Sequence, residues 1–164
     1  MSEVLTGGCQ CGAVRYRAEK LNDDAHICHC RMCQKAVGNA FISLVSVEFD
    51  QFAWTRGTTA EFFSSQKTAR GFCAECGTPL YMRDADDTKI FLTVGTLDDP
   101  NRVPPKRQVG NEARLTWFAG LHHLPGTTTT EEDWPVGARS VRQTNHQHPD
   151  YDTKDWPPKG KQDD

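Results

Sequence analysis

The chain has 164 residues, the span of one domain, and a formal net charge of −3, which gives no electrostatic footing for nucleic acid. No run approaches the roughly 20 consecutive apolar residues of a membrane helix. Met1-Ser2-Glu3-Val4 lacks the basic start and apolar run of a secretory signal. The expected home is the cytosol, where thiols stay reduced and spaced cysteines serve as metal ligands rather than disulfides.

In chain order, Thr6-Gly7-Gly8 and Gly12 bracket Cys9-Gln10-Cys11, and Ala13 to Ala18 alternates with period 2. This predicts a strand, a tight turn and a second strand. Leu21-Asn22-Asp23-Asp24 reads as a turn. Arg31 to Val37 holds helix formers and stops at Gly38-Asn39, which predicts one or two helical turns. Phe41, Ile42, Leu44, Val45 and Val47 form a β-rich run expected to be buried on most of its surface.

Short strands are predicted at Phe52–Thr55, Ala60–Ser64, Ala69–Phe72, Leu80–Arg83 and Ile90–Val94, with turns at Arg56-Gly57 and Asp84-Ala85-Asp86-Asp87. Turn signals every 8–12 residues or so predict an antiparallel, mainly β domain. After Leu124 the composition turns polar. The expected organisation is a zinc-binding β domain over residues 1–124 and a polar arm over 125–164. That arm is read as poorly ordered or laid on the surface, with Trp134 and Trp156 as anchors.

Hydrophobic residues make up 37% of the chain, against roughly 45–50% in globular proteins, a share that includes Gly. A metal staple would therefore supplement a small core. Seven cysteines also leave a disulfide-only scheme one over. Cys73-Ala74-Glu75-Cys76-Gly77 has a spacer that lets the backbone curl around an ion, with Gly77 taking the strained closing conformation. The bland reading is two buried cysteines in a turn. Cys9 and Cys11 would stand roughly 6.5–7 Å apart in a regular strand. They meet one metal only if Gly7, Gly8 and Gly12 bend the chain. Together the two pairs predict a four-cysteine zinc site.

Cys28-His29-Cys30-Arg31-Met32-Cys33 is a different case. Cys30 and Cys33 are neighbours on a helical turn, and Cys28 lies one strand period earlier on the same side. Three thiolates then converge on one ion and leave its fourth position free. His29 is a candidate fourth ligand that would close the site, but alternation turns it away from that face, toward the surface or behind the ligands. Three thiolates on Zn²⁺ leave a charge of −1, so bound water is less acidic than on a histidine-ligated zinc. Such a site suits a thiol that enters, loses its proton and attacks a small electrophile, which points to carbon–sulfur chemistry.

Other residues have plainer readings. Arg70 is a candidate carboxylate clamp, against a surface or strand-pairing arginine. Lys35 is a candidate anion contact, against an exposed helical lysine. His122, His123, His146 and His148 are expected in solvent, and Trp117-Phe118 in the core. No Ser/His/Asp set, carboxylate pair, phosphate loop or dinucleotide fingerprint occurs.

Gly8-Cys9-Gln10-Cys11-Gly12, Cys28-His29-Cys30-Arg31-Met32-Cys33 and Arg70-Gly71-Phe72-Cys73-Ala74-Glu75-Cys76-Gly77-Thr78-Pro79-Leu80 together resemble the glutathione-dependent formaldehyde-activating enzyme family. That family includes centromere protein V and has an Mss4-like fold. The resemblance covers about residues 3–120. It implies antiparallel sheets with one short helix near the triad, and two zinc ions per chain. A structural zinc would sit on Cys9, Cys11, Cys73 and Cys76, and a catalytic zinc on Cys28, Cys30 and Cys33. The implied activity is a carbon–sulfur lyase or synthase joining glutathione and formaldehyde to S-(hydroxymethyl)glutathione. The expected partner is a small thiol, with neither nucleic acid nor membrane, and the oligomeric state is left open. Competing readings are a non-catalytic zinc module that binds a protein and a thiol redox sensor.

Overall fold

The structure, a computed structural model, describes residues 4–156. The last part of the expected arm, with Pro157 and Pro158, lies outside them. In chain order the described elements are β1 (Leu5–Gly8), β2 (Arg15–Ala18), β3 (His26–Cys28), α1 (Arg31–Val37), β4 (Ile42–Glu48), β5 (Phe52–Arg56), β6 (Ala60–Phe63), β7 (Thr68–Phe72), β8 (Pro79–Asp84), β9 (Lys89–Thr93), β10 (Arg107–Val109) and α2 (Pro135–Thr144).

β1, β2 and β5 form a three-stranded sheet; the other strands form a seven-stranded sheet in the order β10-β3-β4-β9-β8-β7-β6. Pairing is antiparallel except between β10 and β3, which run parallel. This is the mainly β, Mss4-like arrangement that the resemblance implies. No described helix is long and apolar enough to cross a membrane.

Strand alternation divides the large sheet into two working faces. Val45 and Val47 of β4, with Ile90 and Leu92 of β9, point to one side and pack with Leu5, Val14 and Tyr16 of the small sheet and its turn. Ile42 and Leu44 point to the other side, where Met82 and Phe91 join them. Each fully buried Leu or Val contributes roughly 1.5–3 kcal/mol, so β4 anchors both layers. Cys9 and Cys73 lie in the first core; Cys28 and Cys33 lie in the second cluster.

The expectation of one short helix holds at α1, with a second helix added at α2. Helix α2 has Pro at its first turn, and only Ala138 is buried, so no apolar stripe announces it. β10 follows Pro104-Pro105 and reads Arg-Gln-Val, too short and polar for a period-2 signal.

Residues 147–156 lie against the first cysteine turn. His148 N donates to Gln10 O at 2.7 Å, and Trp156 Nε1 donates to Cys11 O at 2.6 Å. Arg15, 3% exposed, forks onto Asp98 and also pairs with Asp152. Arg56 reaches the Thr153 carbonyl. His148 is thus 4% exposed rather than in solvent, because its ring hydrogen-bonds Pro149 O and Thr153 within this segment. Trp117 is exposed instead of in the core, whereas Phe118 is half-buried against His29.

Candidate metal centres

The four-cysteine cluster joins two turns from distant parts of the chain. Cys9 N donates to Val14 O and Gly12 N to Cys9 O, which bends the chain between β1 and β2. Opposite, Cys73 N donates to Thr78 O and Gly77 N to Cys73 O, with Gly77 at φ +77°. Gln10 N donates to Thr78 Oγ1 and ties the turns together. Cys9 Sγ lies 3.5 Å from Cys11 Sγ, and Cys11 Sγ lies 3.9 Å from Cys73 Sγ. Zinc–sulfur bonds of ~2.3 Å in a tetrahedron require sulfurs a little under ~4 Å apart. The bend demanded of the Cys9-Gln10-Cys11 segment is therefore present. All four sulfurs lie within 4.8 Å of one another.

The thiols of this cluster pull against each other. Burial pushes Cys73 up to about 11, against N–H donors from Cys76 and Glu75. Burial also raises Cys76, but hydrogen bonds from Thr78 and Cys11 outweigh it and bring that thiol down to about 6. The Cys76 thiolate is favoured, while burial makes Cys11 and Cys73 resist deprotonation. A cation is what would hold all four deprotonated.

The triad sits on the opposite face of the large sheet. β3 supplies Cys28, α1 supplies Cys33, and Cys30 caps α1 between them, accepting from Cys33 N at 3.4 Å. Their sulfurs also lie within 4.8 Å of one another. Burial, then the neighbouring thiols, push Cys28 up to about 12, while Cys30 is lowered because hydrogen bonding from Cys33 overcomes its burial. Among the described residues no histidine nitrogen or carboxylate oxygen joins this group.

His29 is fully buried behind the ligands, not at the surface. Its Nε2 bonds Gln108 Oε1 at 2.8 Å, its ring packs edge-on to Phe118, and its Nδ1 is buried without a partner. Gln34 locks the same corner, donating to His29 O and Ala113 O. No sequence signal marks Gln34 for this job. Lys35 is exposed on α1, and His122 and His123 are also exposed.

A groove of about 520 Å³ opens over the triad. Met82, Phe91 and Val109 line it with apolar surface, and Lys89 and Arg107 with Asp84 and Asp87 line it with charge of both signs. Arg70, expected at a surface or on a substrate carboxylate, is only 8% exposed and turns toward the sulfurs.

Fold and site define a mainly β domain with two clusters of soft donors, one of three thiols beside an open groove. The model of the glutathione-dependent formaldehyde-activating enzyme family matches residues 4–112, a span that holds all seven cysteines, and the chain belongs to this family. A crystal structure of a Rhodobacter sphaeroides protein has a similar fold. Its TM-score is 0.53, at 23% identity over 63% of this chain and 99% of that one.

Proposed function

We propose that the chain is a zinc-dependent carbon–sulfur lyase or synthase acting on a small thiol, with glutathione and formaldehyde as its best substrates. The reading assigns a structural zinc to Cys9, Cys11, Cys73 and Cys76, and a second zinc to Cys28, Cys30 and Cys33. Donor chemistry supports both assignments, since clustered thiolates select soft ions and no redox task is indicated. One observation carries the catalytic assignment: three sulfurs converge beside an open groove, and among the described residues no histidine, cysteine or carboxylate joins them as a fourth ligand. His29, the residue that a closed structural site would enlist, bonds Gln108 instead.

Bound zinc would supply a Lewis-acidic position at which a thiol gives up its proton. The chain's own residues do the rest. Met82 and Phe91 give the groove an apolar lining beside the sulfurs. In this reading Lys89 and Arg107 are the groove cations available to a peptide's carboxylates, and Asp84 and Asp87 the carboxylates available to its ammonium group. A zwitterionic tripeptide thiol matches that mixed lining better than a simple alkyl thiol. In the reaction the sulfur–carbon bond forms, the aldehyde C=O becomes a C–O single bond, and the thiol proton ends on the oxygen.

The test is exchange NMR on glutathione and formaldehyde at equilibrium with their adduct. Zinc-loaded protein is expected to accelerate exchange in proportion to its concentration, and Cys30→Ser to abolish the acceleration. Equal rates with and without protein would refute the assignment.

A further inference from the structure

Arg70 lies on β7, and cross-strand register pairs it with Met82 of β8, which pairs with Phe91 of β9. The three form one row on the sheet face that carries the triad. Arg70 Nε donates to Ser64 Oγ at 3.1 Å, and Nη2 donates to Cys33 Sγ at 3.5 Å. Among the described residues no carboxylate forms an ion pair with it. A guanidinium cannot shed its charge, and burying it without an anion is costly. The sulfurs are the anionic partner within its reach.

We propose that Arg70 is the counter-ion of the triad, a positioning residue that sets the net charge of the site. The inference rests on the triad holding a divalent metal, as proposed above, and does not require turnover. Three thiolates and a divalent ion sum to −1; Arg70 brings the set to neutrality. An incoming thiolate then joins a neutral site rather than an anionic one. The same charge does nothing for a neutral ligand. Arg70 therefore tunes both retention of the metal and preference for anionic sulfur through its charge beside Cys33.

The test uses the full-length chain with both clusters loaded with cobalt. The triad absorption band is identified as the one missing in Cys30→Ser. Arg70→Gln removes the charge and Arg70→Lys keeps it. In chelator competition Arg70→Gln is expected to weaken the triad site by about tenfold or more. Arg70→Lys should recover most of that loss, and the four-cysteine band should hold its affinity. In a second arm, the spectral response to 2-mercaptoethanol should shift to higher concentration in Arg70→Gln, while the response to imidazole stays put. Unchanged triad affinity in Arg70→Gln would overturn the inference alone. So would equal losses in the Gln and Lys variants, or equal losses at both metal sites. Wild-type protein that takes no cobalt at the triad would overturn the inference together with the proposed function.

Discussion

Gly110 packs on the backbone of Cys30, so closely that an added Cβ would come within 2.6 Å of Cys30 N. Its φ of +66° is also in the left-handed region. His29 N donates to Val109 O just before it, so the chain after β10 clamps the triad from outside. Gly110→Ala meets both penalties, a backbone strain of ~1–2 kcal/mol and a collision with main-chain atoms that cannot swing aside. Metal analysis on purified protein should find the triad ion depleted and the four-cysteine ion retained. Full occupancy at both sites would show that the clamp is unnecessary.

The two clusters should respond differently to loss of one sulfur. Cys30 stands at the N-terminus of α1, at the edge of the smaller cluster, whereas Cys73 and Cys76 close onto the main core. Cys30→Ser is expected to lower zinc from two to near one per chain while far-ultraviolet circular dichroism stays unchanged. Cys76→Ser should instead unfold or aggregate the chain, because structural metal binding is coupled to folding. The same loss of fold in both variants would contradict this division.

Acid should expose the Arg15–Asp98 pair. Burial raises the Asp98 carboxyl, but hydrogen bonds from Arg15 and Thr6 outweigh it and hold it below the ordinary 3.8. A depressed carboxyl contributes stability in full above its unfolded value, and loses it as pH falls through the folded one. Asp98→Asn leaves a nearly buried guanidinium with Asp152 alone and should cost about 3 kcal/mol near neutrality. Urea unfolding of both forms should show that gap narrowing as pH drops below about 4. A gap that widens toward acid would reverse the sign of the argument.

The segment after α2 should protect the first cysteine turn. Its bonds to Gln10 O, Cys11 O and Arg15 all end within a few residues of two sulfurs of the four-cysteine cluster. A chain ending at Asn145 keeps all ten described strands. It should lose zinc from the four-cysteine site to a chelator faster than the full chain, with no change at the triad. Equal release rates would make the segment a passenger.

Much of this molecule was legible in order. The run from Phe41 to Val47 reads as a buried strand because β-branched residues outnumber polar ones, and β4 takes it up from Ile42, one residue later. Arg31 to Val37 reads as a short helix because Gly38 ends it, and it is α1, with Gly38 in the left-handed conformation. Cysteine spacing anticipates the triad and each half of the four-cysteine cluster because the geometry within each short segment is local. The rest depends on contacts distant in sequence. β10 is held by a parallel partner some eighty residues earlier, and its own three residues carry no periodicity. Arg70 looks like any strand arginine until β7 is placed beside β8 and its guanidinium is seen to reach Cys33 of α1. His148 is buried because its segment returns to Gln10 and Gly12 and its ring bonds Pro149 O and Thr153.

The account depends most on the open side of the triad. A crystal structure of glutathione-soaked protein, with metals located by anomalous scattering at the zinc edge, tests it directly. The account predicts one zinc among Cys9, Cys11, Cys73 and Cys76, and a second among Cys28, Cys30 and Cys33 with the glutathione sulfur as its fourth neighbour. A triad without metal, or one closed by a fourth protein side chain, would contradict it.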